Sequence, residues 1–344
     1  MQRRVSQEIE LLLTAAAEDG SCLVAPCRRL RDALERRVAT GEVVSPAPHL
    51  YVTREIWDGL SQTERTRHLV TGFSRLHPDW TFCGTSAAVM HGLSVSEGPQ
   101  RPLEIVAPSR VIAYPRNVVV RRYGSDAPTI TVEGVRVTTP ERTVLDCARW
   151  LPFREGLAVA DSSLRLDLVD GGRLNEYVRS AGRGLRGVAR ARLVARLADP
   201  RPENGMESIA RATMYELGFS LPDLQVPLLD PMDSRRVLRV DFMWVLPDGT
   251  VIIGELDGGE KYRNPAMNGG TPLVAMRGER RRESRLTIDR PKIVRFSPGE
   301  VEDIAYFNRL LETFGVPRER DPIIEIPDEV PFSEVVPVEA YGLP

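Results

Sequence analysis

The segment VLRVDFMWVLPDGTVIIGELDGG, residues 237–259, constrains the fold more than any other stretch of the chain. Val, Phe and Trp in its first half and Val and Ile in its second favour strands. Pro247-Asp248-Gly249 between them favours a turn. An antiparallel pair is therefore expected, with Asp241 and Glu255 set inside strongly apolar runs. Acids are depleted in such strands unless the position has a use for them. Side chains alternate along a strand, so Glu255 and Asp257 share one face. A turn at residues 247–249 puts Asp241 opposite Glu255 on that face, whereas a two-residue turn puts them on opposite faces.

The flanks extend the pattern. NGMESIARATMYELGF reads as a helix that carries Glu207, with Gly218 as its stop. A helix over 274–286 and a buried strand KIVRF at 292–296 follow the hairpin. Helix, antiparallel strands, helix, strand is the order of the PD-(D/E)XK nuclease core. Phosphodiester hydrolysis is often run by a divalent ion that activates water and neutralises phosphate charge. Mg²⁺ or Mn²⁺ would need carboxylates converging from separate elements, and Asp241, Glu255 and Asp257 are the candidate metal ligands. The stretches MESIARATMYELGFSLPDLQ, RVDFMWV, GELDGGEKY and GERRRESRLTIDRPKIVRF resemble Vsr-like endonuclease domains. That resemblance implies a catalytic set of Glu207, Asp241, Glu255 and Asp257. The superfamily's lysine slot, two residues after the acid, holds Asp257 here, and Lys261 is the nearest lysine able to orient water or stabilise charge. Arg277, Arg281 and Arg285 recur at helical spacing and are candidates for DNA-backbone contact, with Glu279 and Glu283 as alternative ion-pair partners.

The N-terminal half reads differently. An amphipathic helix at about 5–19 precedes RRLRDALERRVATGEVV, where Leu30, Ala33, Leu34 and Val38 form an apolar stripe and Gly41 ends the helix. Segments 42–44 and 50–52 are candidate strands of a wing. Helix, basic helix, hairpin is close to the winged helix-turn-helix order, which makes Arg28, Arg31 and Arg36 candidate DNA contacts. A small helical cap with a solvated basic face is the alternative. In TFCGTSAAVMHGL, Thr85 or Ser86 is the expected helix N-cap rather than a nucleophile, because GxSxG and a His/Asp partner pattern are absent. Glu133-Gly134 marks a β-hairpin turn, and Thr139-Pro140-Glu141 opens a helix. GTSAAVMHGL followed by VTTPERTVLDCARWLPFREGLAVADSSLR resembles proteins of the AbiEi-like abortive-infection antitoxin group over residues of about 20–170.

The expected organisation is α/β (α+β). It comprises a winged-helix-like segment at 1–55, an AbiEi-like mixed α/β and helical region at 56–198, a PD-(D/E)XK core at 203–318 and an extended tail at 319–344. Net charge is −2, with 46 Lys and Arg against 48 Asp and Glu, which weighs mildly against a nucleic-acid protein. The cations are mostly arginine and clustered at 28–37, 183–196 and 277–295. Four cysteines without a CxxC pair read as reduced buried thiols. The absence of a long apolar run points to a cytoplasmic protein without a membrane partner. The leading functional expectation is a metal-dependent DNA endonuclease joined to a recognition or regulatory module. The alternative is a non-catalytic DNA-binding regulator or antitoxin-type protein, with a toxin or other protein as partner.

Overall fold

The computed structural model of the chain describes residues 2–106, 114–123, 127–257 and 291–327. Over those residues it is a mixed α/β protein with three sheets. It divides into two compact units, Met1–Ile209 and Ala210–Pro344.

The first unit opens with α1 (Gln2–Glu18), β1 (Leu23–Val24), α2 (Arg28–Ala39) and the hairpin β2 (Val43–Ala47) and β3 (Leu50–Thr53), in sheet order β1-β3-β2. The i, i+3, i+4 spacing of Leu30, Ala33 and Leu34 puts one stripe of α2 into a core with Ile9, Leu13, Val43 and Tyr51. Each large aliphatic side chain buried this way contributes about 1.5–3 kcal/mol. Helices α3 (Arg54–Gly59) and α4 (Gln62–Leu76) follow, the latter started by a capping box between Ser61 and Glu64.

A five-stranded sheet comes next: β4 (Thr81–Phe82), β5 (Leu103–Val106), β6 (Val119–Tyr123), β7 (Thr129–Val132) and β8 (Val135–Thr138), in order β6-β5-β4-β8-β7. Glu133 and Gly134 both have positive φ, 49° and 79°, which is the backbone a tight two-residue hairpin requires. Between β4 and β5 runs α5 (Gly84–Met90). Neither Thr85 nor Ser86 caps it, contrary to the sequence expectation: Cys83 occupies that position, and both hydroxyl residues lie inside the helix. Helices α6 (Pro140–Trp150), α7 (Phe153–Arg165), α8 (Gly171–Ala181) and α9 (Val188–Leu197) complete the unit. Thr139 precedes α6 with Pro140 at its first position, as the sequence indicated.

The division between units falls inside α10 (Gly205–Glu216). The second unit contains β9 (Asp223–Asp230), β10 (Asp233–Val245), β11 (Val251–Leu256), β12 (Lys292–Phe296), α11 (Pro298–Glu302) and α12 (Ile304–Phe314). Its sheet order is β12-β11-β10-β9, antiparallel from β9 to β11 and parallel between β11 and β12. One face carries a stack of Phe242 on Phe296 at 5.8 Å, met edge-on by Phe307 of α12 at 5.0 Å. Gly218 ends α10 at φ 85°. The amides of Glu319 and Ile323 donate to the carbonyls of Gly218 and Glu216, so this stretch lies along its own chain. Among the described residues no helix is long and apolar enough to cross a membrane.

Candidate functional site

The two central acids lie at the end of the β10–β11 hairpin. β10 and β11 pair as Phe242↔Gly254, Met243↔Ile253, Trp244↔Ile252 and Val245↔Val251. The Leu246 amide donates to the Thr250 carbonyl at 2.8 Å, which leaves residues 247–249 as the turn. The ladder ends at Phe242↔Gly254, and Val240 packs with Ile253 and Met243, so strict side-chain alternation does not run on through Asp241. Asp257 shares the face of Glu255 by strand parity, and its amide donates to the Phe296 carbonyl.

The carboxylates are already engaged. Asp241 Oδ1 accepts from Gln225 Nε2 at 3.2 Å, and Oδ2 accepts from the Leu256 amide at 2.9 Å. Glu255 is buried and is the register partner of Arg295 on β12. Arg295 Nη1 pairs with Asp257 Oδ1 at 3.1 Å. A guanidinium therefore supplies positive charge on the face where a divalent ion would have to sit. Among the described residues no group of three or more His, Cys, Asp or Glu could hold a metal ion.

Glu207 has a local task. It lies in the first turn of α10, where Asn204 Oδ1 accepts from the Met206 and Glu207 amides. Glu207 Oε2 in turn accepts from the Glu203 amide at 2.8 Å, and Oε1 accepts from Asn204 Nδ2. This reciprocal arrangement satisfies the open donors at a helix start. Lys261, Arg277, Arg281 and Arg285 lie outside the described residues.

On α2, Arg28 is 86% exposed in its side chain, Arg36 is exposed and Arg31 is half-buried. Arg29 pairs with Glu8 of α1 at 2.7 Å, and Arg37 reaches Glu10 and Glu42 at 3.5 and 3.1 Å. Two arginines of the cluster thus hold the helix in place, and Arg28 and Arg36 project outward beside Asp32 and Glu35.

A third constellation gave no clear sequence signal. Glu104 on β5 is buried, and its Oε2 accepts from the Thr85 amide at 2.7 Å and from Thr85 Oγ1 at 3.1 Å. Arg122 on β6 pairs with Oε1 and lies 4.8 Å over the Trp150 ring. Burial pushes the Glu104 carboxyl above its ordinary range, and Arg122 and Thr85 act against that rise. The buried Cys83 and Cys147 thiols are likewise pushed far up, mainly by burial and then by the Glu104 charge. Asp146, fully buried on α6, pairs with Arg142 at 2.9 Å and Arg149 at 3.1 Å. In LEIV, the segment of β5, Leu103, Glu104 and Ile105 are all buried, so simple alternation would misplace Glu104 on the solvent side. Gly84 is where that carboxylate meets the backbone: its φ is +53°, and a notional Cβ would stand 2.0 Å from Glu104 Oε2.

Residues 80–196, which contain this network, match the AbiEi antitoxin C-terminal domain family. Two Mycobacterium tuberculosis proteins are 35% identical over 135 residues, 39% of this chain and 48% of theirs: "Uncharacterized protein MT2308" of strain CDC 1551 / Oshkosh and "Uncharacterized protein Rv2248" of strain ATCC 25618 / H37Rv. The chain spans about half the length of these curated relatives.

Proposed function

We propose that this protein is a DNA-binding regulator of the antitoxin type, with a nuclease-like C-terminal unit that does not turn over substrate. The observation that carries the reading is the match of residues 80–196 to the antitoxin C-terminal domain. The order α1-β1-α2-β2-β3, with β1 pairing β3, supports a winged helix at the N-terminus that uses Arg28, Arg31 and Arg36. The order α10-β9-β10-β11-β12 supports a PD-(D/E)XK, Vsr-like scaffold. The Asp257–Arg295 pair supports a structural rather than catalytic use of its acidic face. The antitoxin-like region is then the surface for a toxin or another protein partner. Fluorescence anisotropy on mixed-sequence duplex DNA tests the DNA role. Arg28→Ala and Arg36→Ala should each weaken binding to all sequences and lower the salt slope by about one. Wild-type affinity and slope in both variants would remove the winged-helix reading.

A second reading is the Mg²⁺- or Mn²⁺-dependent endonuclease, favoured by the closeness of Asp241 to β11, where its Oδ2 accepts from the Leu256 amide beside Glu255. It requires Asp241 and Asp257 to give up their present partners. On this reading Mn²⁺ at 100-fold its dissociation constant raises stability by about 2.7 kcal/mol, and Asp241→Ala abolishes the rise together with plasmid nicking. On the regulator reading neither the thermal shift nor nicking is expected in wild type.

A further inference from the structure

The far end of the β9–β10 ribbon is built unlike the rest of its sheet. The β10–β11 ladder covers Phe242 to Val245, whereas β10 pairs with β9 back to Asp233. Among the described residues the two strands therefore run on past that ladder as a two-stranded ribbon. Its outer face is apolar: Leu229 and Val237 are direct cross-strand partners and are 71% and 60% exposed. The next pair, Leu228↔Leu238, packs with Val240 and Ile253, so one pair is covered and the other is not. At the tip, Met232 is 70% exposed, and Asp230, buried at 2%, accepts from its amide to hold the turn.

The charge around this apolar strip is positive. Arg235, Arg236 and Arg239 are all exposed, Arg235 by 90% of its side chain. The half-buried Asp233 pairs with Arg235 at 3.2 Å. A narrow ribbon with apolar side chains at its centre and guanidiniums around them has the dimensions of a groove reader. A two-stranded ribbon fits the major groove, and minor-groove proteins set Leu, Met or Pro against base steps with arginine alongside. We propose that this ribbon end is a nucleic-acid contact surface of the second unit, separate from α2. It lays Leu229, Met232 and Val237 into a groove of duplex DNA while Arg235, Arg236 and Arg239 meet phosphates. The excess of arginine favours this polyanion over a second copy of the chain.

The full-length protein and a mixed-sequence linear DNA duplex test the proposal by anisotropy across a salt series. Arg235→Ala/Arg236→Ala should weaken binding by about tenfold or more and lower the salt slope by about two, as two lost phosphate contacts predict. Leu229→Ser/Val237→Ser should weaken binding with the slope unchanged. Arg28→Ala/Arg36→Ala, measured in parallel, keeps the two surfaces apart: a loss confined to that variant supports the winged helix and overturns the ribbon. Thermal melting confirms folding of each variant, and the exposed arginine pair remains informative if the serine pair unfolds. Wild-type affinity and slope in folded Arg235→Ala/Arg236→Ala overturns the proposal. So does light scattering in which the serine pair splits an oligomer while DNA binding is unchanged, because the ribbon then holds a second copy.

Discussion

Gly84→Ala should destabilise the first unit by more than about 4 kcal/mol, a range that single substitutions reach only through severe clashes or unpaired buried groups. The backbone at Gly84 has φ +53°, where an L side chain is strained. The larger effect is steric. An alanine Cβ would stand 2.0 Å from Glu104 Oε2 and 3.0 Å from a ring carbon of Trp150. Glu104 has nowhere to retreat, because Arg122 holds one oxygen and Thr85 the other. Ejecting the carboxylate would leave the Thr85 amide, Thr85 Oγ1 and the Arg122 fork without their shared acceptor. Gly92→Ala is the matched control: its φ is +75°, but nothing lies within 4 Å of the added methyl, so it should lose only the about 1–2 kcal/mol of left-handed strain. Denaturant titration followed by tryptophan fluorescence separates the two. Equal losses at Gly84 and Gly92 would mean that Glu104 is free to move.

Arg122→Gln should produce a loss that depends on pH. It leaves the Glu104 carboxylate, 5% exposed, without its counter-charge. Stranding one member of a buried pair costs about 3–5 kcal/mol, and the lower end applies because Arg122 is itself partly exposed. Burial already raises the Glu104 carboxyl above its ordinary value, and removing Arg122 removes the largest influence against that rise. A raised folded-state value in an acid means that stability is complete below the unfolded value and is lost as pH rises through the folded one. The deficit of the variant should therefore be greatest at neutral pH and shrink as the solution is brought towards the ordinary glutamate value of about 4.3. Urea midpoints measured along that range check the sign. A deficit that stays constant with pH would show that Glu104 does not titrate in this site.

Much of the second unit could be read from sequence because its information is local. The turn at 247–249 and the strand at Lys292–Phe296 follow from residue types a few positions apart. The hairpin at Glu133-Gly134 and the start of α6 were legible for the same reason. β9 was not anticipated: Pro222, Pro227 and Pro231 make SLPDLQVPLLDP read as loop. The strand is the last in the order β12-β11-β10-β9, an edge position where proline is tolerated. Matched partners distant in sequence were also hidden. Nothing near Glu104 announces Arg122 eighteen residues later, or the Asp257–Arg295 pair across thirty-eight. For Glu207 the residue type was noticed, but its role in closing the first turn of α10 depends on the backbone of Glu203 and Asn204.

The burial of the thiols gives the protein a natural reporter. Cys22, Cys83 and Cys147 are buried, and burial pushes Cys22 up to about 12 and the other two well above the ordinary thiol range. Cys27 is exposed and stands at the N-cap of α2, directly before Arg28. A maleimide dye added to the folded wild-type chain would therefore attach at one place, with no cysteine engineering, at the start of the helix that carries Arg28, Arg31 and Arg36. On the proposed winged-helix reading its brightness changes on addition of DNA, and quenching from a second label reads distance to that helix.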